Sequence, residues 1–173
     1  MKLSGRTALA LTWLLAAALP FSASAADAAP PMAGMQHGKL QLGASALFDK
    51  DGTVLAVAKQ GDHVVLYRSA DLGKTWSAPA KVNAQPEDIS ADGQNRPKIA
   101  LASDGGVLVS WTHPLPKAYT GAVRLARSTD GQTFTAPLTV HSDTAEITHR
   151  FESMLTSPGN KVVVAWIDKR EYE

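Results

Sequence analysis

From Leu40 onward, short apolar runs alternate with clusters of Gly, Asp, Asn and Ser, and no window carries a helical period. The runs predict strands at 44–48, 54–58, 63–68, 99–102, 107–111, 122–128, 153–156 and 162–167. Between them lie turn sequences of one kind: Asp49-Lys50-Asp51-Gly52, Ser103-Asp104-Gly105-Gly106 and Ser157-Pro158-Gly159-Asn160. Each joins an apolar run to a second run rich in Val, so the pattern is a series of hairpins.

The hairpins repeat. Aligning Gly52, Gly105 and Gly159 brings Val54-Leu55-Ala56-Val57, Val107-Leu108-Val109-Ser110 and Val162-Val163-Val164-Ala165 into near register. The first two units share a second element, Tyr67-Arg68-Ser69-Ala70-Asp71-Leu72-Gly73-Lys74-Thr75-Trp76 and Ala126-Arg127-Ser128-Thr129-Asp130-Gly131-Gln132-Thr133-Phe134. A repeated unit of about 55 residues with four short strands is the signature of a β-propeller blade. The expected fold is therefore all-β, built of four-stranded antiparallel blades.

Ser69-x-Asp71-x-Gly73-x-Thr75-Trp76 fits the Asp-box motif at every defined position, and Ser128, Asp130, Gly131, Thr133 and Phe134 match it with one residue deleted before Gly131. On these boxes the chain resembles secreted bacterial proteins of the sialidase superfamily. That resemblance implies a six-bladed propeller and hydrolysis of terminal sialic acid, or of a related anionic glycan, by an exo-α-sialidase. The physics of the box is local. Asp71 can accept from turn N–H groups, Gly73 can take positive φ, Thr75 can close the turn and Trp76 can pack between sheets. The box is thus a turn lock. Sortilin-like receptors and photosystem assembly factors carry it too, so it speaks for a propeller more than for one chemistry.

Blade topology places the long, polar links, 83–95, 114–121 and 141–149, on one face, where binding residues usually gather. Arg96 and Arg150 occupy equivalent positions before Gly105 and Gly159 and would open innermost strands at that face. Strand exits bring His113, Asp168 and Arg170 to the same end, giving a candidate anion site of Arg96, Arg150, Arg170 and His113. Pairing of these arginines with Asp168, Glu152 or Glu171, to tie blades together, is the structural alternative. The resemblance implies arginines on the substrate carboxylate, a Tyr nucleophile activated by Glu, and an acid/base Asp. Asp168 is the best-placed candidate for that acid/base role, with Asp88 and Asp92 competing; Glu171-Tyr172 lies at the chain end, where the resemblance places no nucleophile. His63, His141 and His149 are expected as surface histidines, and Asp49-x-Asp51-Gly52 as a hairpin turn instead of a calcium loop.

Composition narrows the chemistry. The 173 residues carry a formal charge of +1 and no cysteine, which argues against nucleic-acid binding and excludes disulfides, thiolate metal sites and thiol nucleophiles. No cofactor is implied. Lys2 and Arg6, the apolar run 8–19 and Ala23-Ser24-Ala25 read as a signal peptide over 1–25, so the protein is expected to be exported, periplasmic or secreted, without a membrane span once the signal is removed. Residues 26–39 read as a flexible lead-in whose Met32, Met35 and His37 are chance composition, not a copper site. Residues 40–173 are then a partial propeller with units at 40–82, 95–140 and 149–173, the last only half built. As such a fragment it is expected to be poorly stable and inactive alone, with a glycan or other anionic small ligand as partner, or, as the alternative function, to be a non-catalytic envelope propeller binding a glycan, protein or metal.

Overall fold

A computed structural model describes residues 43–171. The signal and lead-in segments, Met32, Met35, His37 and Tyr172 all lie outside them. Among the described residues, every regular element apart from a single 3-10 turn, Gly93–Asn95, is a strand.

Three antiparallel sheets follow in chain order. The first contains β1 (Ala44–Phe48), β2 (Val54–Gln60), β3 (His63–Ser69) and β4 (Ala80–Lys81), hydrogen-bonded in that order. The second repeats it with β5 (Lys98–Leu101), β6 (Val107–Pro114), β7 (Gly121–Ser128) and β8 (Leu138–Thr139). The third holds the hairpin β9 (His149–Ser157) and β10 (Lys161–Asp168). No sheet closes on itself among the described residues. The aligned glycines explain why the hairpins superimpose: Gly52, Gly105 and Gly159 have φ of 80°, 83° and 80°. That left-handed region is open to glycine at little steric cost.

Alternation along the strands decides what each sheet buries. Leu55 and Val57 of β2 and Val64 and Leu66 of β3 point to one side, where they meet Val107, Val109 and Trp111 of β6 and Ala126 of β7. Val82 and Ile89 complete this core. Each such side chain removed from water stabilises the fold by about 2 kcal/mol. The contact between the second and third sheets is polar by comparison. Ser110, Thr112 and Glu152 are buried there, with Thr112 Oγ1 donating to Glu152 Oε2 at 2.9 Å. Asn95 Oδ1 accepts from Phe151 N (3.3 Å), and Thr156 Oγ1 donates to Leu101 O (2.6 Å). At the turn end, Asn160 bonds Ser103 and Asp104, and Asp104 also takes the Arg127 guanidinium. β1 lies beside β5 and β5 beside β9, so the first strands of the three sheets are neighbours. On the far side of the third sheet, Leu155, Val163 and Ile167 remain exposed.

Both Asp boxes behave as turn locks. Asp71 Oδ1 accepts from Ser69 Oγ (2.7 Å) and Thr75 N (2.8 Å), and its other oxygen accepts from Thr75 Oγ1 (2.7 Å). In the shorter box, Asp130 Oδ1 accepts from Ser128 Oγ and from Gln132 N and Thr133 N at 2.8–2.9 Å. These donors pull both carboxyls down to about 2 from an ordinary value of 3.8. Trp76 departs from the expected packing between sheets: it stands edge-on to Tyr67 at 6.4 Å and is 46% exposed.

Two further expectations need correction. The last hairpin begins at His149, four residues before the apolar pattern suggested, because a β-bulge opens β9. Phe151 has φ of 61°, and Phe151 and Glu152 together stand opposite Trp166, between the pairs Arg150–Ile167 and Ser153–Ala165. His149 is not a surface histidine either; it is fully buried. The bulge breaks the alternation, so that His149 and Glu152, three residues apart, are both interior.

Candidate functional site

The long-link end of the sheets collects the starts of β5, β7 and β9 and the ends of β6 and β10. Arg96 follows the 3-10 turn, is half-buried, and donates from Nη1 to Gly93 O (3.2 Å). Arg150 lies in β9, with its guanidinium carbon 5.2 Å from the centre of the Phe151 ring and its Nε buried without a partner. The Asn95–Phe151 bond joins the residues adjacent to these two arginines, which fixes the starts of neighbouring strands together. Arg150 packs so closely on Gly121 that a Cβ there would lie 3.1 Å from Arg150 Cγ. Neither Arg96 nor Arg150 pairs with a carboxylate among the described residues.

Arg170 differs. It grips Asp168 through Nε (3.1 Å) and Nη2 (2.5 Å), while its own backbone N–H donates to the same carboxylate at 3.0 Å. These bonds hold Asp168 far below the ordinary carboxylate range. His113 turns to the other side of the second sheet. Its Nδ1 lies 2.9 Å from Asp88 O and 3.7 Å from Glu87 Oε2, and Glu87 also accepts from Trp111 Nε1 (2.7 Å) and faces Arg124 Nε (3.5 Å). The five residues expected to converge therefore divide into Arg96 with Arg150, Asp168 with Arg170, and His113 apart. Asp92 accepts from Asn95 Nδ2 (3.1 Å) and serves the 3-10 turn.

Beside Asp168 sits a pair of histidines with no signal in the sequence beyond their identities. Val123 N donates to His141 Nε2 (3.3 Å), so the proton of that ring is on Nδ1, which donates to Asp143 O at 2.7 Å. Burial pushes His141 toward its neutral form. The ring stacks on His149 with centroids 3.8 Å apart. His149 Nδ1 faces Gly121 O (3.3 Å), and its Nε2 stands 3.6 Å from one oxygen of Asp143 and one of Asp168. Among the described residues no group of three or more His, Asp or Glu side chains is arranged to hold a metal ion.

Glu152 is the ionisable group that sequence reasoning passed over, having weighed it only as an ion-pair partner. Burial raises its carboxyl, against the opposing pull of Lys98 and Thr112, and its Oε1 has no hydrogen-bond partner. Lys98 is held by Gln94 O and Arg96 O at 2.6 Å each, and burial lowers it. A cavity of about 270 Å³ lies elsewhere, at the turn end between the first two sheets, lined by Asp51, Arg68, Ser103, Thr129 and Asp130. Arg68 donates to Asp130 O there (2.6 Å).

No family model and no curated protein matches this chain.

Proposed function

We propose that the three sheets are successive blades of a sialidase-like β-propeller in an exported, periplasmic or secreted protein, and that its long-link face binds the carboxylate of a terminal acidic sugar. One observation carries the reading: Arg96 and Arg150, from equivalent repeat positions, open adjacent strands with no carboxylate partner among the described residues. Guanidinium groups without a carboxylate partner at one end of a sheet series suit a carboxylate ligand. The apolar faces at the ends of the sheet series, Phe48 on one and Leu155 and Val163 on the other, support the blade reading, since blades bury their faces against neighbours.

For hydrolysis of the glycosidic bond, the reaction class of an exo-α-sialidase, a proton donor must stand beside the bound sugar. The Arg170 clamp on Asp168 favours the second reading, a non-catalytic propeller that docks an acidic glycan on this face. Two measurements on the full chain separate the readings. Isothermal titration with N-acetylneuraminic acid is expected to give binding that Arg150→Ala reduces about tenfold or more, the loss of one charge-assisted pair; unchanged affinity sinks the arginine site. Release of a fluorescent leaving group from a sialoside tests turnover, and turnover that survives in Asp168→Asn excludes that residue from the chemistry.

A further inference from the structure

We infer that His149 is a pH-controlled clasp: as an imidazolium it ties the start of β7, the link before β9 and both strands of the third sheet together, and loss of its second proton loosens the last hairpin. The ring is fully buried, so bulk water serves neither nitrogen. Nδ1 lies 3.3 Å from Gly121 O, which can only accept. Nε2 lies 3.6 Å from Asp143 Oδ2 and from Asp168 Oδ2 and has no hydrogen-bond partner. With its one proton on Nδ1, a neutral ring aims the Nε2 lone pair at two carboxylates. With the proton on Nε2, it aims the Nδ1 lone pair at a carbonyl. Only the imidazolium presents a proton to acceptors on both sides.

The charges around the ring suit a cation. From the link come Asp143 and His141; the His141 ring, stacked on His149 at 3.8 Å, is kept neutral by the Val123 N–H that its Nε2 accepts. From the end of β10 come Asp168 and the Arg170 that grips it, with Glu171 beyond. On β9 itself Arg150 follows, and the β7 residues Gly121, Ala122 and Val123 carry no ionisable group. Arg170 answers one of the two facing carboxylates, and an imidazolium at His149 answers the other. The contribution of the clasp is therefore present while His149 holds both protons and is lost as pH rises through its titration. Arg150 packs on Gly121, the residue that His149 Nδ1 faces, so the same proton holds that arginine in place. The clasp stands whatever the arginine face binds.

Two measurements on the full chain over about pH 5.5 to 8.5 test this. Ring-nitrogen NMR of the histidines reads protonation, since an imidazolium has two near-equal nitrogen shifts and a neutral ring two well-separated ones. Amide hydrogen exchange in β9 and β10, corrected for the intrinsic rate at each pH, reads opening of the hairpin. The expected result is a charged His149 beside a neutral His141 at the acid end. Protection of β10 should then fall about tenfold over the range in which His149 loses its proton, the worth of one charge-assisted hydrogen bond. Asp143→Asn keeps an amide oxygen for Ala145 N, which Asp143 Oδ1 accepts at 2.9 Å, but removes the charge. It should move the titration of His149 and the loss of protection together to lower pH, whereas a merely structural aspartate would change protection without moving that midpoint. A neutral His149 at the acid end, level β10 protection while His149 titrates, or an unmoved midpoint in Asp143→Asn each overturns the clasp.

Discussion

Asp71 and Asp130 each gather three or more donors into a turn of a few residues, and this concentration has a consequence for acid stability. Their carboxyls titrate near 2 in the fold and near 3.8 when unfolded. A lowered carboxylate contributes stability that is fully present above the unfolded value and is lost as pH falls through the folded one. The urea midpoint should therefore fall between about pH 4 and pH 2. The double variant Asp71→Asn, Asp130→Asn should flatten that fall, leaving the shares of Asp104 and Asp168; an unchanged acid limb counts against the boxes as its origin. Glu152 acts with the opposite sign. Its folded value is raised above 4.5, so its contribution is most favourable below that pH and declines as pH rises through the raised value. Glu152→Gln should raise the urea midpoint at neutral pH, with the amide oxygen still accepting from Thr112; a lower midpoint shows instead that the charge is retained through Lys98. The boxes were legible in the sequence because donor and acceptor are at most four residues apart. Glu152 was not, because Thr112, forty positions away, and the bulge at Phe151 create its environment.

The turns and strand faces set the stability of the elements. A Cβ at Gly131 would lie 1.7 Å from Arg68 Nη2, whereas at Gly105 it meets nothing within 4 Å. Both glycines have positive φ, 65° and 83°. Gly105→Ala should cost about 1–2 kcal/mol, the left-handed penalty alone, and Gly131→Ala distinctly more, because Arg68 must leave Asp130 O. Equal denaturation midpoints for the two variants count against this contact. Leu66→Ala, in the apolar contact between the first two sheets, should cost about 2–5 kcal/mol. The strand pattern was readable where a short apolar run is bounded by turn residues, as in β2 and β6. The repeat alignment put Arg150 at the opening of a strand, but the apolar pattern began that strand only at Ser153, because His149-Arg150-Phe151-Glu152 has no period-two pattern and a bulged strand does not need one.

Across the molecule, the two sheet contacts differ in kind, and the unfolding order should follow. The first and second sheets share an apolar core led by Trp111, Leu55 and Val109, while the third is attached largely by hydrogen bonds. Native-state hydrogen exchange should find the amides of β2, β3 and β6 best protected and those of β10 least, through opening of the last hairpin alone. Uniform protection across all three sheets counts against that division. The repeat made the number and order of sheets legible, but the polar character of the second contact was not, since Ser110, Thr112 and Glu152 are polar residues whose burial depends on the sheet they face. The turn end also offers a practical use. The chain has no cysteine, and Lys50 beside Gly52 is exposed at the tip of the first turn, at the opposite end of the strands from Arg150. A Lys50→Cys variant therefore carries one thiol for coupling to a dye or a sensor surface, oriented so that the arginine face stays open to solution.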